Sequence, residues 1–321
     1  MKMGGSNVQP AFVLLILLTA VTFAAMIGFN AMAGDPSISR GLFIHGIGNV
    51  SSMYPLQITP DSWAFSIWGV IYLFQAGWII YAISNIFRSV QGSPAYTSPA
   101  VLTPVFFVLF ILNNISNIAW LFLWDREYFL PAVPVNGVTA VTCYVGLLIS
   151  YCSLAINRQE LVEEGRYAEI NVIRIFVFNG LGLYGAWTTI ATILCLGVTL
   201  VYKVDPPLSQ DTASLVCLGA LALIYVTFVG VDLTVLEQYS RYTFSPYLLL
   251  LWALAAVLSK NWNPEQTSSI VVAVLAGVGL VGLVLKVVVS YWRQKREPFE
   301  YRRLKIWSTP GNDVYPVLST K

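Results

Sequence analysis

Three short runs place amide and aromatic side chains along one face of an apolar helix. Trp68, Tyr72 and Gln75 recur at i, i+4 and i+7, Asn113, Asn117, Trp120 and Trp124 at i, i+4, i+7 and i+11, and Tyr184, Trp187 and Ala191 at i, i+3 and i+7. Each spacing draws a single stripe on an α-helix. Amides are costly in hydrocarbon, so the stripes are expected to face a protein interior. There, ring walls with a few hydrogen-bonding groups suit a flat, largely apolar ligand. The competing reading is an interfacial aromatic belt with asparagines bridging helices and no ligand. Two ionisable residues, Asp232 and Lys286, also fall within apolar runs. They read as an intramembrane ion pair, as a proton or ion relay, or as a lysine snorkelling to the headgroups.

Other chemistry is sparse. The lone His45 has no ligand set around it, and Cys143, Cys152, Cys195 and Cys217 show no metal-site spacing and read as buried small residues. No serine-nucleophile motif, phosphate-cradling glycine loop or paired catalytic carboxylates occur. Binding is therefore a better expectation than catalysis, with no required cofactor and no metal.

The elements that must position these residues are membrane helices. Of 321 residues 57% are hydrophobic and 11% charged, and the mean hydropathy is +0.70, against about 25% charge in soluble domains. Uncharged runs long enough to span lie at about 11–33, 63–87, 101–124, 134–156, 172–202, 213–236, 244–259 and 267–292, the seventh being the shortest. The expected fold is all-α, a polytopic bundle of about eight transmembrane helices.

Loop charge sets the expected orientation. One side would hold Lys2, Arg88, Arg158, Arg166, Arg174, Arg241 and a basic tail, the other only Arg40, Arg126, Lys203 and Lys260, so both termini are expected in the cytosol. Asn49 begins the sequon Asn49-Val50-Ser51 in the first loop, where glycosylation could occur, whereas the sequon at Asn114 lies within a span. The first segment also has features of a signal peptide, with small residues at Ala31 to Gly34. A retained helix is preferred because the apolar part is long.

Motifs in three spans resemble the translocator protein / tryptophan-rich sensory protein (TspO) family. Pro60, Trp68 and Tyr72 fit its proline and aromatic signature, Asn117 to Trp124 reads as its Asn-x-x-Trp segment, and Trp187 to Thr192 as its Trp-x-x-x-Ala-Thr. The departures are Thr59-Pro60 in place of a double proline and aromatics displaced by about one residue. The adjacent Tyr202 and Lys203 do not meet the sterol-recognition pattern, while 235–241 and 289–293 do and read equally well as interface anchors. The resemblance implies a five-helix part over about residues 11–205 and an intramembrane pocket for a porphyrin or sterol.

The expected organisation is thus a TspO-like five-helix region over 1–205, three further helices over 206–292 and a basic cytosolic tail over 293–321. Expected partners are membrane lipids and a hydrophobic small molecule, with a homo-oligomer allowed and nucleic acid excluded. The function expected is binding, with transport or sensing, of that molecule at Pro60, Trp68, Tyr72, Gln75, Asn113, Asn117, Trp120, Trp124, Tyr184 and Trp187. The alternatives are a secondary transporter or channel using Asp232 and Lys286, or a seven-helix receptor if the first segment is cleaved.

Overall fold

The computed structural model describes residues 8–296. Its helices are α1 (Pro10–Gly34), α2 (Ile47–Met53), α3 (Ile67–Phe87), α4 (Pro104–Asp125), α5 (Phe129–Glu163), α6 (Tyr167–Val172), α7 (Asn179–Tyr202), α8 (Gln210–Thr234), α9 (Glu237–Ser240), α10 (Ser245–Asn261) and α11 (Thr267–Arg296). A 3-10 turn at Ser62–Ser66 leads into α3, and a π-helical turn at Ile173–Phe178 joins α6 to α7. Among the described residues the strands amount to one short pair, Ser89–Val90 against Ser93–Pro94.

Local chemistry explains where helices begin. Pro10 and Pro104 occupy first-turn positions, where a missing N–H costs nothing. Thr103 Oγ1 accepts from the Phe106 N–H at 3.4 Å and Ser209 Oγ from the Thr212 N–H at 3.1 Å, capping α4 and α8.

Among the described residues seven helical segments are long and apolar enough to cross a bilayer: Pro10–Gly34, Ser62–Phe87, Pro104–Asp125, Phe129–Glu163, Tyr167–Tyr202, Gln210–Thr234 and Thr267–Arg296. The remaining segment expected from the sequence forms α10, which has 17 residues, or about 26 Å of helix against a hydrocarbon thickness of about 30 Å. It still links the two ends of the bundle, because Tyr247 meets Asp232 at one end and Asn261 donates to Thr59 O at the other.

The burial pattern is that of a protein in lipid. Leu73, Ile80, Val274 and Val281 stand exposed, while Gln75, Asn113, Asn114 and Asn117 are buried, as expected where the solvent is hydrocarbon and polar groups must be satisfied inside. The chain is a multi-pass integral membrane protein. Cys143, Cys195 and Cys217 are buried as expected, but Cys152 is exposed, because it sits on the outward face of α5 between the buried Tyr151 and Ser153.

The core has two clusters. One joins α1, α3, α4, α5 and α7, and the other joins the first loop and the far end of α4 to α8, α10 and α11. Helices α4, α5, α7 and α10 each contribute to both. Contact between α3 and α7 depends on Gly180, where a Cβ would lie 3.1 Å from Phe74 Cβ and 3.2 Å from Gln75 Nε2.

Candidate functional site

The stripes on α3 and α7 meet ring to ring. Trp68 stacks on Tyr72 at 5.5 Å with the planes 28° apart, and stands edge-on to Tyr184 at 5.8 Å and Trp187 at 6.3 Å. Phe65, one turn earlier, is perpendicular to Trp187 at 5.7 Å. Offset and edge-on ring pairs of this kind are favoured by the aromatic quadrupole. Gln75 accepts the Trp78 indole N–H at 2.7 Å, and its own Nε2 is buried without a partner. The Tyr184 hydroxyl is also buried and unpartnered, and Asn117 faces it without reaching hydrogen-bond geometry.

The stripe on α4 divides into two parts. Asn113 donates to Thr139 O at 2.7 Å and Thr142 Oγ1 at 2.8 Å, bridging α4 to α5. Asn117 Oδ1 accepts from Asn30 Nδ2 of α1 at 2.8 Å. A turn or two on, Trp120 and Trp124 stack at 5.6 Å with the planes 24° apart and form one wall of a cavity of about 60 Å³. Pro60, Phe65, Tyr54, Ala191 and Leu194 complete much of its lining. Trp124 Nε1 donates to Ile47 O at 3.3 Å. The Trp120 indole N–H is buried, has no hydrogen-bond partner and lies beside the Cys195 thiol.

The first loop closes this cavity, held by two acids that follow from where α4 ends. Asp125 is buried and its carboxylate accepts the backbone N–H groups of Ile44, His45 and Gly46 at 2.9–3.1 Å. Successive amides can converge in this way because Gly46 takes φ +76°. Glu127 accepts the Tyr54 hydroxyl and lies 3.6 Å from Lys203 Nζ and 3.8 Å from His45 Nε2. The hydrogen bond to Glu127, burial and the carboxylate charge together hold the Tyr54 hydroxyl protonated above its ordinary range. Tyr54 also stands edge-on to Phe129 at 4.8 Å and Tyr202 at 5.2 Å.

At the opposite end, Lys286 Nζ lies 2.8 Å from Asp232 Oδ2 and donates to Ser240 O at 3.0 Å and Ser240 Oγ at 3.1 Å. Tyr247 donates to the same Asp232 oxygen at 2.6 Å. Lys286 is fully buried, so it does not snorkel. A second buried pair, Glu237 with Arg241 at 2.8 Å, adjoins it and receives Arg293 at 3.1 Å.

The C-terminal helices are fastened to the first five at both ends of α10. Asn179 donates to Arg174 O at 2.8 Å and Tyr242 O at 2.9 Å, and accepts from Phe244 N at 2.9 Å and Ser245 N at 3.2 Å. It thereby serves a carbonyl of the π turn and the start of α10 together. Further along α10, Trp252 Nε1 donates to Ala64 O at 3.1 Å and Asp61 N to Ala256 O at 3.0 Å, and at its end Asn261 donates to Thr59 O. Trp63, in the turn that leads into α3, is 41% exposed yet stands edge-on to Trp252 at 4.8 Å.

Of the residues singled out in the sequence, Pro60, Trp120, Trp124 and Ala191 line the cavity, Trp68, Tyr72, Tyr184 and Trp187 form the ring cluster, and Asn113, Asn117 and Gln75 make separate hydrogen bonds to α5, α1 and Trp78. Asn49 is exposed on α2, and Asn114 is buried against Thr22 at 3.1 Å. Sequence reasoning passed over Asn30, Phe65, Tyr54 and Glu127. Asn30 was within reach, since it too is an amide in an apolar run; Tyr54 and Glu127 carry no local signal, because their meeting joins residues 73 apart.

The fold and this interior define a class: a polytopic α-helical membrane protein with an aromatic-rich bundle. The family described as TSPO-like protein matches residues 16–289. The chain belongs to that family, and the match runs on through α8, α10 and most of α11, beyond the first five spans that carry the motifs. No curated protein and no solved structure matches the chain.

Proposed function

We propose that this protein binds a hydrophobic small molecule of the porphyrin or sterol type in the cavity walled by Trp120 and Trp124, as a carrier or sensor. The observation that carries the reading is the stacked indole pair lining the cavity, with the buried Trp120 indole N–H offered only the weakly accepting Cys195 thiol. A ligand oxygen or nitrogen placed there would relieve the cost of an unpaired buried donor. Family membership supports the same reading by analogy.

At about 60 Å³ the cavity is far below the roughly 300 Å³ of small-molecule sites. Binding therefore requires the first loop, held by Tyr54 on Glu127, to move outward and enlarge the space between α4 and α7. In this reading the side bearing Arg88, Arg158, Arg166 and Arg174 is cytosolic and the cavity opens on the opposite side.

The test is titration of the purified full chain with protoporphyrin and with dehydroergosterol, followed through tryptophan emission. Saturable quenching or energy transfer is expected, weakened about three- to tenfold in Trp120→Phe, which keeps a ring and removes the donor. Absence of saturation with both probes, or an unchanged affinity in the variant, rejects the reading.

A further inference from the structure

The Trp120 cavity is the first of three that adjoin one another along α7. The second, about 20 Å³, lies between α7, α8 and α10 and shares Pro60 and Leu194 with the first. The third, about 40 Å³, lies between α5, α7, α8 and α10 and shares Ile190 and Leu221 with the second. Two thin partitions thus separate the three: Pro60 with Leu194, then Ile190 with Leu221. The second cavity is otherwise walled by apolar side chains such as Ile193, Leu218 and Leu254, together with the thiol of Cys217.

The third cavity reaches the lipid-facing surface. Its lining includes Ile224, which is 44% exposed, and the half-buried Tyr144, Thr189 and Phe228. At this outer end the Tyr144 hydroxyl and Thr189 Oγ1 lie 3.1 Å apart, a pair in which either oxygen can also engage a passing polar group. Leu221 and Ile224 are on α8, packed against α7 but without the amide bridges that tie α4 to α5. Ile190 and Leu221, which separate the second cavity from the third, can change rotamer without breaking a hydrogen bond.

We propose that α7, α8 and α10 enclose a lateral passage by which a slender, membrane-dissolved apolar molecule with a single polar group moves between the bilayer and the Trp120 cavity. The passage assigns a role to the C-terminal helices: α8 and α10 roof the face of α7 that would otherwise lie open to lipid. The middle section, about 20 Å³, is the smallest of the three, so passage is controlled there. This inference rests on the proposed ligand site for its destination, while the passage itself can be tested without any ligand.

Two measurements on the full chain in phosphatidylcholine vesicles keep the two ideas apart. In a chain carrying Cys143→Ala, Cys152→Ala and Cys195→Ala, the uncharged, lipid-soluble reagent ethylmercury chloride should modify Cys217, read as a mass increase absent from Cys217→Ala. Leu221→Phe, which thickens the partition, should slow that modification about tenfold, and Leu221→Ala should accelerate it. Equal rates in all three, or no modification in any, overturn the passage whatever the ligand result. In the second measurement dehydroergosterol is supplied from donor vesicles and energy transfer from tryptophan is followed in time. Leu221→Phe should slow its rise about tenfold and leave the final amplitude unchanged, because the variant alters the route and not the site. An unchanged rate with full amplitude overturns the passage, and a missing amplitude in the unmodified chain rejects the ligand site alone.

Discussion

At the residue scale, the closure of the cavity depends on Tyr54. Its hydroxyl donates to Glu127 while its ring lines the cavity and contacts Phe129 and Tyr202. Tyr54→Phe keeps the ring and removes the bond, and a hydrogen bond of this kind contributes about 1 kcal/mol or somewhat more when its acceptor is charged. The expected outcome is faster deuterium uptake in backbone amides of residues 47–59 with little change in global stability, measured by hydrogen exchange and thermal unfolding. Uptake equal to that of the unmodified chain would remove Tyr54 as the latch. The bond also has a defined pH sense. Because the folded chain holds this hydroxyl protonated above its ordinary range, its stabilisation is present below the ordinary tyrosine value and is lost as pH rises through the folded one.

At the element scale, α8 and α11 are joined by Asp232 and Lys286, both buried, with the ammonium surrounded by one carboxylate and two Ser240 oxygens. With the three donors of its ammonium engaged, Lys286 is expected to act as a structural tie, a role that paired substitutions test. Removing one partner of such a pair leaves an uncompensated buried charge, at a cost of about 3–5 kcal/mol, whereas replacing both is often tolerated. Lys286→Met should therefore lower the midpoint of thermal unfolding in detergent steeply, and Asp232→Asn combined with Lys286→Met should recover most of the loss. Asn in place of Asp232 still offers Tyr247 an acceptor. If the double variant is as unstable as the single one, the tie is not what the pair supplies.

At the scale of the whole molecule, orientation decides which compartment the cavity faces. The exposed Asn49 lies on the same side as the cavity mouth, and the neighbouring Ser51 lines the cavity. Expressed in a secretory-pathway membrane, the chain should lose mass on treatment with an N-glycosidase, and Asn49→Gln should abolish that shift while Asn114→Gln leaves it unchanged. A shift that persists in Asn49→Gln, or none in the unmodified chain, would count against placing the first loop on the lumenal side.

The sequence by itself determined the class of fold, the order of the long helices and most of their bounds to within a few residues, although Phe129–Glu163 extends five to seven residues past each end of the expected 134–156, and the inward face of each stripe. It could do so because these features are local: a 3.6-residue period and the cost of amides and charges in hydrocarbon act within one helix, whatever its neighbours. Only the tertiary structure decided which stripe meets which. Asn117 pairs with Asn30 87 residues away, Trp63 leans on Trp252, and Asp125 gathers the amides of a loop 80 residues earlier. The approach of α3 to α7 at Gly180 brings Trp68 onto Tyr184 and Trp187, so those rings fill space that the stripes considered separately leave open. The cavity arises instead where the first loop, Pro60 and α7 converge beside Trp120, because enclosure requires walls from distant parts of the chain, and no periodicity encodes their distances.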